Sequence, residues 1–341
     1  MTPVSTTGPA AGAAAPGSEA PPPAQPKAGG GSLLSRVPDV TPLVVLLVAL
    51  GIFFSIQSPF FFNYDNFLNV LTAAAITGII AAPATLLLVA GQFDLSVGSG
   101  LTFCGVVMAY VADKDGILVG IIAAVAAGLV IGTVNGFLVT VVGVNPLITT
   151  LATLAAFAGL ASVIADGQTL PLTGFSGLGT SRPFFNIPLP VIIFAVVVIG
   201  FYVLMRYTVI GRSMYAIGAN PVAARLSGLR TGRLIFIGFL LSGTFVALAA
   251  LVNVSQLSAA STQAGTGLEL SVVTAVVLGG ASLAGGRGTI IGTLFGLLVI
   301  AVLNNGLTLL SVNSFWQDVA RGTLLALAVS FDQLRLRLTR E

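Results

Sequence analysis

Residues 128–145 read GLVIGTVNGFLVTVVGVN, residues 288–305 read GTIIGTLFGLLVIAVLNN, and the two runs are identical at nine of eighteen positions. Shared oiliness alone does not account for matches that include Gly128/Gly288, Gly132/Gly292, Gly136/Gly296 and Asn145/Asn305. A second echo lies one apolar run earlier in each half, where Asp94-Leu95-Ser96-Val97 answers Glu269-Leu270-Ser271-Val272. Because both echoes occur in the same order, the chain reads as an internal duplication.

Around these runs the sequence is dominated by apolar residues: 56% hydrophobic, 7% charged, with a mean hydropathy of +1.04. A soluble domain carries about a quarter charged residues, so the main solvent of this chain is lipid. Ten spans fit the hydropathy, at 40–57, 67–90, 95–111, 117–142, 146–164, 188–205, 234–254, 268–284, 289–310 and 315–331. With both termini cytoplasmic, the inner side receives Lys27, Arg36, Arg206, Arg212, Arg225, Arg230, Arg233, Arg287, Arg335, Arg337 and Arg340. Only Lys114, Arg182 and Arg321 fall outside, which is the positive-inside bias expected of an even number of spans. The fourth and ninth spans then cross in opposite directions, and the expected fold is an all-α integral membrane protein of two inverted five-helix repeats. Residues 1–38 are expected to be a disordered Ala/Pro-rich cytoplasmic tail, because prolines at 21–23 and 26 break any signal-peptide core. Residues 39–333 form the membrane domain and 334–341 a basic cytoplasmic tail.

Several chemistries are excluded by what the chain lacks. It has no histidine, so triads and the commonest metal ligand and proton shuttle are missing, and no metal site or catalytic residue is expected. The glycine-rich stretch at 280–287 lacks the lysine of a phosphate-binding loop, so the chain does not hydrolyse ATP by itself. The basic residues are not interleaved with exposed aromatics, which argues against nucleic acid. Cys104 is the sole cysteine, lies in an apolar run and reads as a packing residue.

Three groups of residues remain as candidates. Gly128, Gly132 and Gly136, and Gly288, Gly292 and Gly296, recur every four residues and are expected to let helix backbones approach closely. Asp94, Ser96, Asn135, Thr149, Thr153, Asn253, Glu269 and Asn304 are polar groups in or near spans, and line a path or bond helix to helix. The third group is an island between Arg206 and Arg233 that holds five arginines and no acid. There Asn220 is a good N-cap, Pro221 suits the first helical position, Val222 and Leu226 share a face, and Gly228 can end the turn. The expectation is a helix of about two turns, with small Ala223 and Ala224 admitting a partner.

At these residues the chain resembles a known family. The island GRSMYAIGANPVAARLSGL, with GQFDLSVGSG at 91–100, NGFLVTVVGVNPLITTLATL at 135–154 and LGGASLAGGRGTIIGT at 278–293, is similar to the permease subunits of ribose- and xylose-type sugar ABC importers. The resemblance covers about residues 40–331 and extends to permeases for branched-chain amino acids and nucleosides. It implies a homodimeric permease in the bacterial inner membrane, a separate cytoplasmic ATPase that holds ATP and Mg, and an extracytoplasmic sugar-binding protein. It also implies that the helix at Asn220–Gly228 is the coupling helix, with Gly211, Arg212, Gly218, Asn220, Pro221, Ala223, Ala224, Arg225 and Gly228 at the ATPase contact. An ion-coupled secondary transporter is the reading it competes with.

Overall fold

Asparagine or threonine precedes several of the helices and caps their free N–H groups, and this capping sets where the chain turns. In the computed structural model, which describes residues 40–338 together with Thr2 and Gly8, the Asn63 side chain accepts from Asp65 N, Asn145 from Leu147 N, and Asn220 from both Val222 N and Ala223 N. Thr208 and Thr289 do the same for Gly211 N and Gly292 N. Pro146 and Pro221 follow their asparagine caps, where a missing N–H costs nothing.

The described residues are mostly helical. The helices are α1 (Thr41–Gln57), α2 (Tyr64–Val89), α3 (Val97–Asp115), α4 (Ile117–Phe137), α5 (Pro146–Ile164), α6 (Gly177–Thr180) and α7 (Leu189–Tyr207). They continue as α8 (Val209–Ala219), α9 (Pro221–Leu226), α10 (Thr231–Leu257), α11 (Leu268–Leu278), α12 (Ile290–Leu309) and α13 (Ser314–Leu338). A π-helical turn, Leu138–Val142, extends α4, and two short strands, β1 (Leu170–Pro171) and β2 (Ala259–Ala260), pair antiparallel. Among the described residues six helices are long and apolar enough to cross a bilayer: α2, α4 with its π turn, α5, α7, α10 and α12. They make this a multi-pass membrane protein. Residues 1–39 apart from Thr2 and Gly8, the last three residues, and the side chains of 321, 325, 328, 329 and 331–338 lie outside the described residues, so the two tails do too except for Thr2, Gly8 and the backbone of 334–338.

Burial is inverted relative to a soluble protein. Ile122, Val130, Ile148, Val163, Val196 and Ile199 on α4, α5 and α7 are exposed, as lipid-facing residues are. Helices α2 and α10 supply much of the enclosed core, with Ile79, Ile80, Leu86, Phe239 and Val246 at or near complete burial.

The glycine stripes hold this core together. A Cβ on Gly128 would run into the backbone of Gly243, and one on Gly132 would come within 2.9 Å of Leu240 Cα, so α4 and α10 cross with backbone against backbone. Gly136 packs on the Phe236 ring. In the second stripe, Gly292 and Gly296 press on Gly279 and Ala275 of α11. Gly288 departs from expectation: it lies before the Thr289 cap with φ +148°, so it belongs to the approach loop and not to the helix stripe. Between α2 and α12 the hydroxyls of Thr85 and Thr293 meet at 2.8 Å, and Asn66 and Asn305 exchange two amide hydrogen bonds of 3.0 and 2.8 Å.

Two helices differ from the expected spans. The run at 268–284 is helical only over the 11 residues of α11, a rise of about 16 Å against a hydrocarbon core of about 30 Å. Helix α3 begins at Val97, and the irregular backbone leading to it is half-buried, ending at the fully enclosed Ser96. The starts of α3 and α11 meet: Gly265 N donates to Thr102 Oγ1 at 3.0 Å, and the Glu269 carboxylate rests on Gly98 with no room for a Cβ between them.

Replacing Gly132 by leucine should force α4 and α10 apart and cost about 1–3 kcal/mol or more of stability. The check is thermal unfolding of purified protein in detergent, with Gly159→Leu, which has open space around its Cα, as the control.

Candidate functional site

Four of the eight expected path residues form one buried chain of hydrogen bonds. Thr153 on α5 donates to Asn135 Oδ1 on α4 at 2.7 Å, and Asn135 Nδ2 donates to Ser96 Oγ at 2.8 Å. Ser96 Oγ donates to Asp94 Oδ1 at 2.6 Å, with Ser96 N adding a bond of 3.1 Å to the same oxygen. The other carboxylate oxygen accepts from Ser242 Oγ on α10 at 2.6 Å. Asp94 is thus a half-buried acceptor that holds the entry to α3 and, through Ser242 and the chain of Ser96, Asn135 and Thr153, ties α3, α4, α5 and α10 together.

Taking a carboxylate out of water costs several kcal/mol. Hydrogen bonds to a charged group contribute about 1.5–3 kcal/mol each, so the three accepted here offset that cost. Thr149, one turn before Thr153, is buried with no partner for its hydroxyl among the described residues. Glu269 is half-buried at the start of α11, while Asn253 and Asn304 sit half-buried on α10 and α12, apart from the chain. Ser242 was missed by the sequence reading, since a lone serine in an apolar helix carries no local signal of its partner.

The arginine island folds into two helices. As expected, Asn220 caps a short helix, α9, and Gly228 follows it with φ +83°. Val222 and Leu226 share a face and are 57% and 85% exposed, whereas Ala224 on the opposite side is buried. Arg212, Asn220, Pro221, Ala223, Arg225 and Gly228 are exposed as well. An apolar pair facing outward on a six-residue helix is a surface available to a partner.

Gly211, Gly218 and Ala224 do not share that surface. Gly211 abuts the backbone of Leu204 and Met205, which makes the tight turn from α7 into α8 possible. A Cβ on Gly218 would meet Val89 O and come within 2.5 Å of Gly286 N. At that junction Gly286 N donates to Val89 O at 2.8 Å, and a Cβ on Gly285 would come within 3.0 Å of the Gly91 backbone and 3.2 Å of Gly218 Cα. Tyr215 completes it, donating to Gly288 O at 2.6 Å. Burial pushes the Tyr215 phenol above its ordinary pKa, partly opposed by the Arg206 charge, so it stays a protonated donor. The end of α2, the end of α8 and the loop 279–289 are thus clamped together directly behind α9.

These features define a membrane permease, and the chain belongs to the family described as the permease component of branched-chain amino acid transport systems, matching it over residues 66–329. Among named relatives, the ribose import permease protein RbsC of Escherichia coli (strain K12) is 38% identical over 299 residues, covering 85% of this chain and 92% of that protein. The ribose import permease protein RbsC of Bacillus subtilis (strain 168) is 41% identical over 297 residues, covering 84% and 90%. The L-arabinose transport system permease protein AraH of Escherichia coli (strain K12) is 35% identical over 308 residues, covering 89% and 94%. No solved structure matches the chain.

Two measurements test the site. Asp94→Leu should strand the donors of Ser96 and Ser242 at about 1–3 kcal/mol for each unsatisfied group, whereas Asp94→Asn keeps an acceptor and loses less; unfolding in detergent compares them. Gly218→Ala should lower the unfolding temperature by wedging the clamp, at about 1–3 kcal/mol, while Ser227→Ala, exposed on the same helix pair, stays within about 0.5 kcal/mol.

Proposed function

We propose that this chain is the membrane subunit of an ATP-driven importer that carries a monosaccharide into a bacterial cell. The observation that carries the reading is α9: a capped helix with an exposed apolar pair, clamped from behind to the ends of α2 and α8. Relatives that import ribose and L-arabinose support the substrate class. Energy comes from a separate cytoplasmic ATPase holding ATP and Mg, which seats α9 as its coupling helix; an extracytoplasmic binding protein delivers the sugar, and two permease copies pair as a homodimer.

In this reading the protein lies in the cytoplasmic membrane with ten spans in two inverted five-helix repeats and both termini inside. The packing supports it. Helix α3 packs on α4 and α5 as α11 packs on α12 and α13, and α4 crosses α10 as α12 crosses α2. Each pairing recurs with its partners shifted by five spans, as an inverted duplication requires. When the ATPase closes, the push on Val222 and Leu226 passes through Gly218 and Gly286 to the end of α2, and from there to the segment carrying Asp94.

The test is uptake into proteoliposomes holding the permease, its ATPase and its binding protein. ATP-dependent entry of D-ribose or L-arabinose is expected; entry of leucine in place of either sugar overturns the substrate class, and ion-driven uptake by this chain alone overturns the importer. Arg225→Glu and Gly228→Val should each abolish uptake and weaken co-purification of the ATPase while the protein still inserts. Undiminished ATPase capture in both variants removes α9 from the docking role.

A further inference from the structure

Beside α9 lies an open cleft of about 470 Å³, inside the range of about 300–1,000 Å³ typical of small-molecule sites. One wall is the π-helical turn and the bend to α5, with Thr140 and Asn145; the other is α9 with Arg225; Thr231 and Gln92 lie between them. Two further cavities, around Leu47, Phe61 and Val70 and around Val48, Ile52 and Phe62, have walls that are almost wholly apolar.

We propose that this cleft binds a neutral polyol of monosaccharide size from the cytoplasmic side, an inference that rests on the importer reading above. A sugar hydroxyl both donates and accepts, and the wall offers both: two amides, two threonine hydroxyls and a guanidinium. The Asn145 side-chain oxygen is used in capping α5, which leaves its NH2 as a donor. Gln92 brings a second side-chain amide to the wall, its NH2 directed toward Ala90 O at 3.5 Å. Arg225 is the one cation among the lining residues, and its Nε is already held by Pro221 O at 3.2 Å, so the wall lacks the cluster of cations that a phosphate would call for. The wall is also built on a π-helical distortion, a device that recurs at functional sites.

Location gives this binding a consequence. Gln92 stands two residues before Asp94, so one end of the cleft adjoins the segment that carries the buried polar chain, and the other end is α9 itself. A sugar lodged there bridges the bend at 139–146 to α9 and resists the movement that the ATPase imposes. The cleft thereby senses product on the side where it accumulates.

Cysteine protection tests the assignment. Cys104 is the only cysteine and is buried, so Thr140→Cys and Asn145→Cys each introduce a single accessible thiol, and having two variants guards against loss of the α5 cap in the second. In the detergent-solubilised permease, millimolar D-ribose or L-arabinose should slow maleimide labelling at both positions several-fold and leave Ser227→Cys, exposed at the end of α9, unchanged. No slowing by either sugar, equal slowing at Ser227→Cys, or protection by inorganic phosphate instead overturns the proposal. Uptake by the wild-type importer, measured alongside, separates the two readings. Sugar uptake without protection removes the cleft and leaves the importer, whereas leucine uptake with leucine protection removes both.

Discussion

Backbone lying directly on backbone is the contact that the rest of this structure depends on. Lipid offers no hydrophobic reward for bringing helices together, so their association rests on dispersion at close range and on hydrogen bonds, and both need the main chains to come near. Glycine meets that need at four junctions. It sits where α4 crosses α10, where α11 meets α12, where the start of α3 touches the residues leading into α11, and where the ends of α2 and α8 meet the loop before α12. Because these crossings are tight, the short side chains of Asp94, Ser96, Asn135, Thr153 and Ser242 reach one another across four helices.

The same closeness stiffens the chain around α9. An exposed helix of six residues bears little load alone, and the coupling role proposed for α9 requires a base that does not slide. The Gly218, Val89 and Gly286 junction supplies that base, and the Tyr215 hydroxyl pins it to the chain just before α12.

Much of this architecture is written in local sequence. The Asn-Pro pairs at 145–146 and 220–221 announce helix starts, the four-residue glycine spacing announces close crossings, and the acid-free arginine island stands out by composition. What local pattern does not carry is the partner of each surface. The spacing of Gly128, Gly132 and Gly136 predicts a helix contact, but not that Gly243 and Phe239 of α10 receive it. Gly211 and Gly218 share the island with exposed neighbours, and only tertiary packing turns them inward. The hydropathy of 268–284 is continuous, yet its helix stops at Leu278, because Gly279 must lie flat on Gly292 and the chain then needs the positive-φ glycines at 280, 285 and 286 to bend. Asp94 shows the same limit: its neighbours in the chain do not announce that a serine 148 positions away completes its setting.

The crossing of α4 and α10 also orders events in time. Gly128 and Gly243 stand 115 residues apart in the chain, so α4 enters the bilayer while its partner is still being synthesised. At roughly 5–20 residues per second, the glycine face of α4 waits on the order of ten seconds, bare to lipid or to whatever insertion factor shelters it. During that interval the buried polar residues of α3, α4 and α5 have only one another, and Asp94 lacks the Ser242 hydroxyl that completes its shell. The most exacting joint of the mature protein is therefore absent through the middle of its biogenesis.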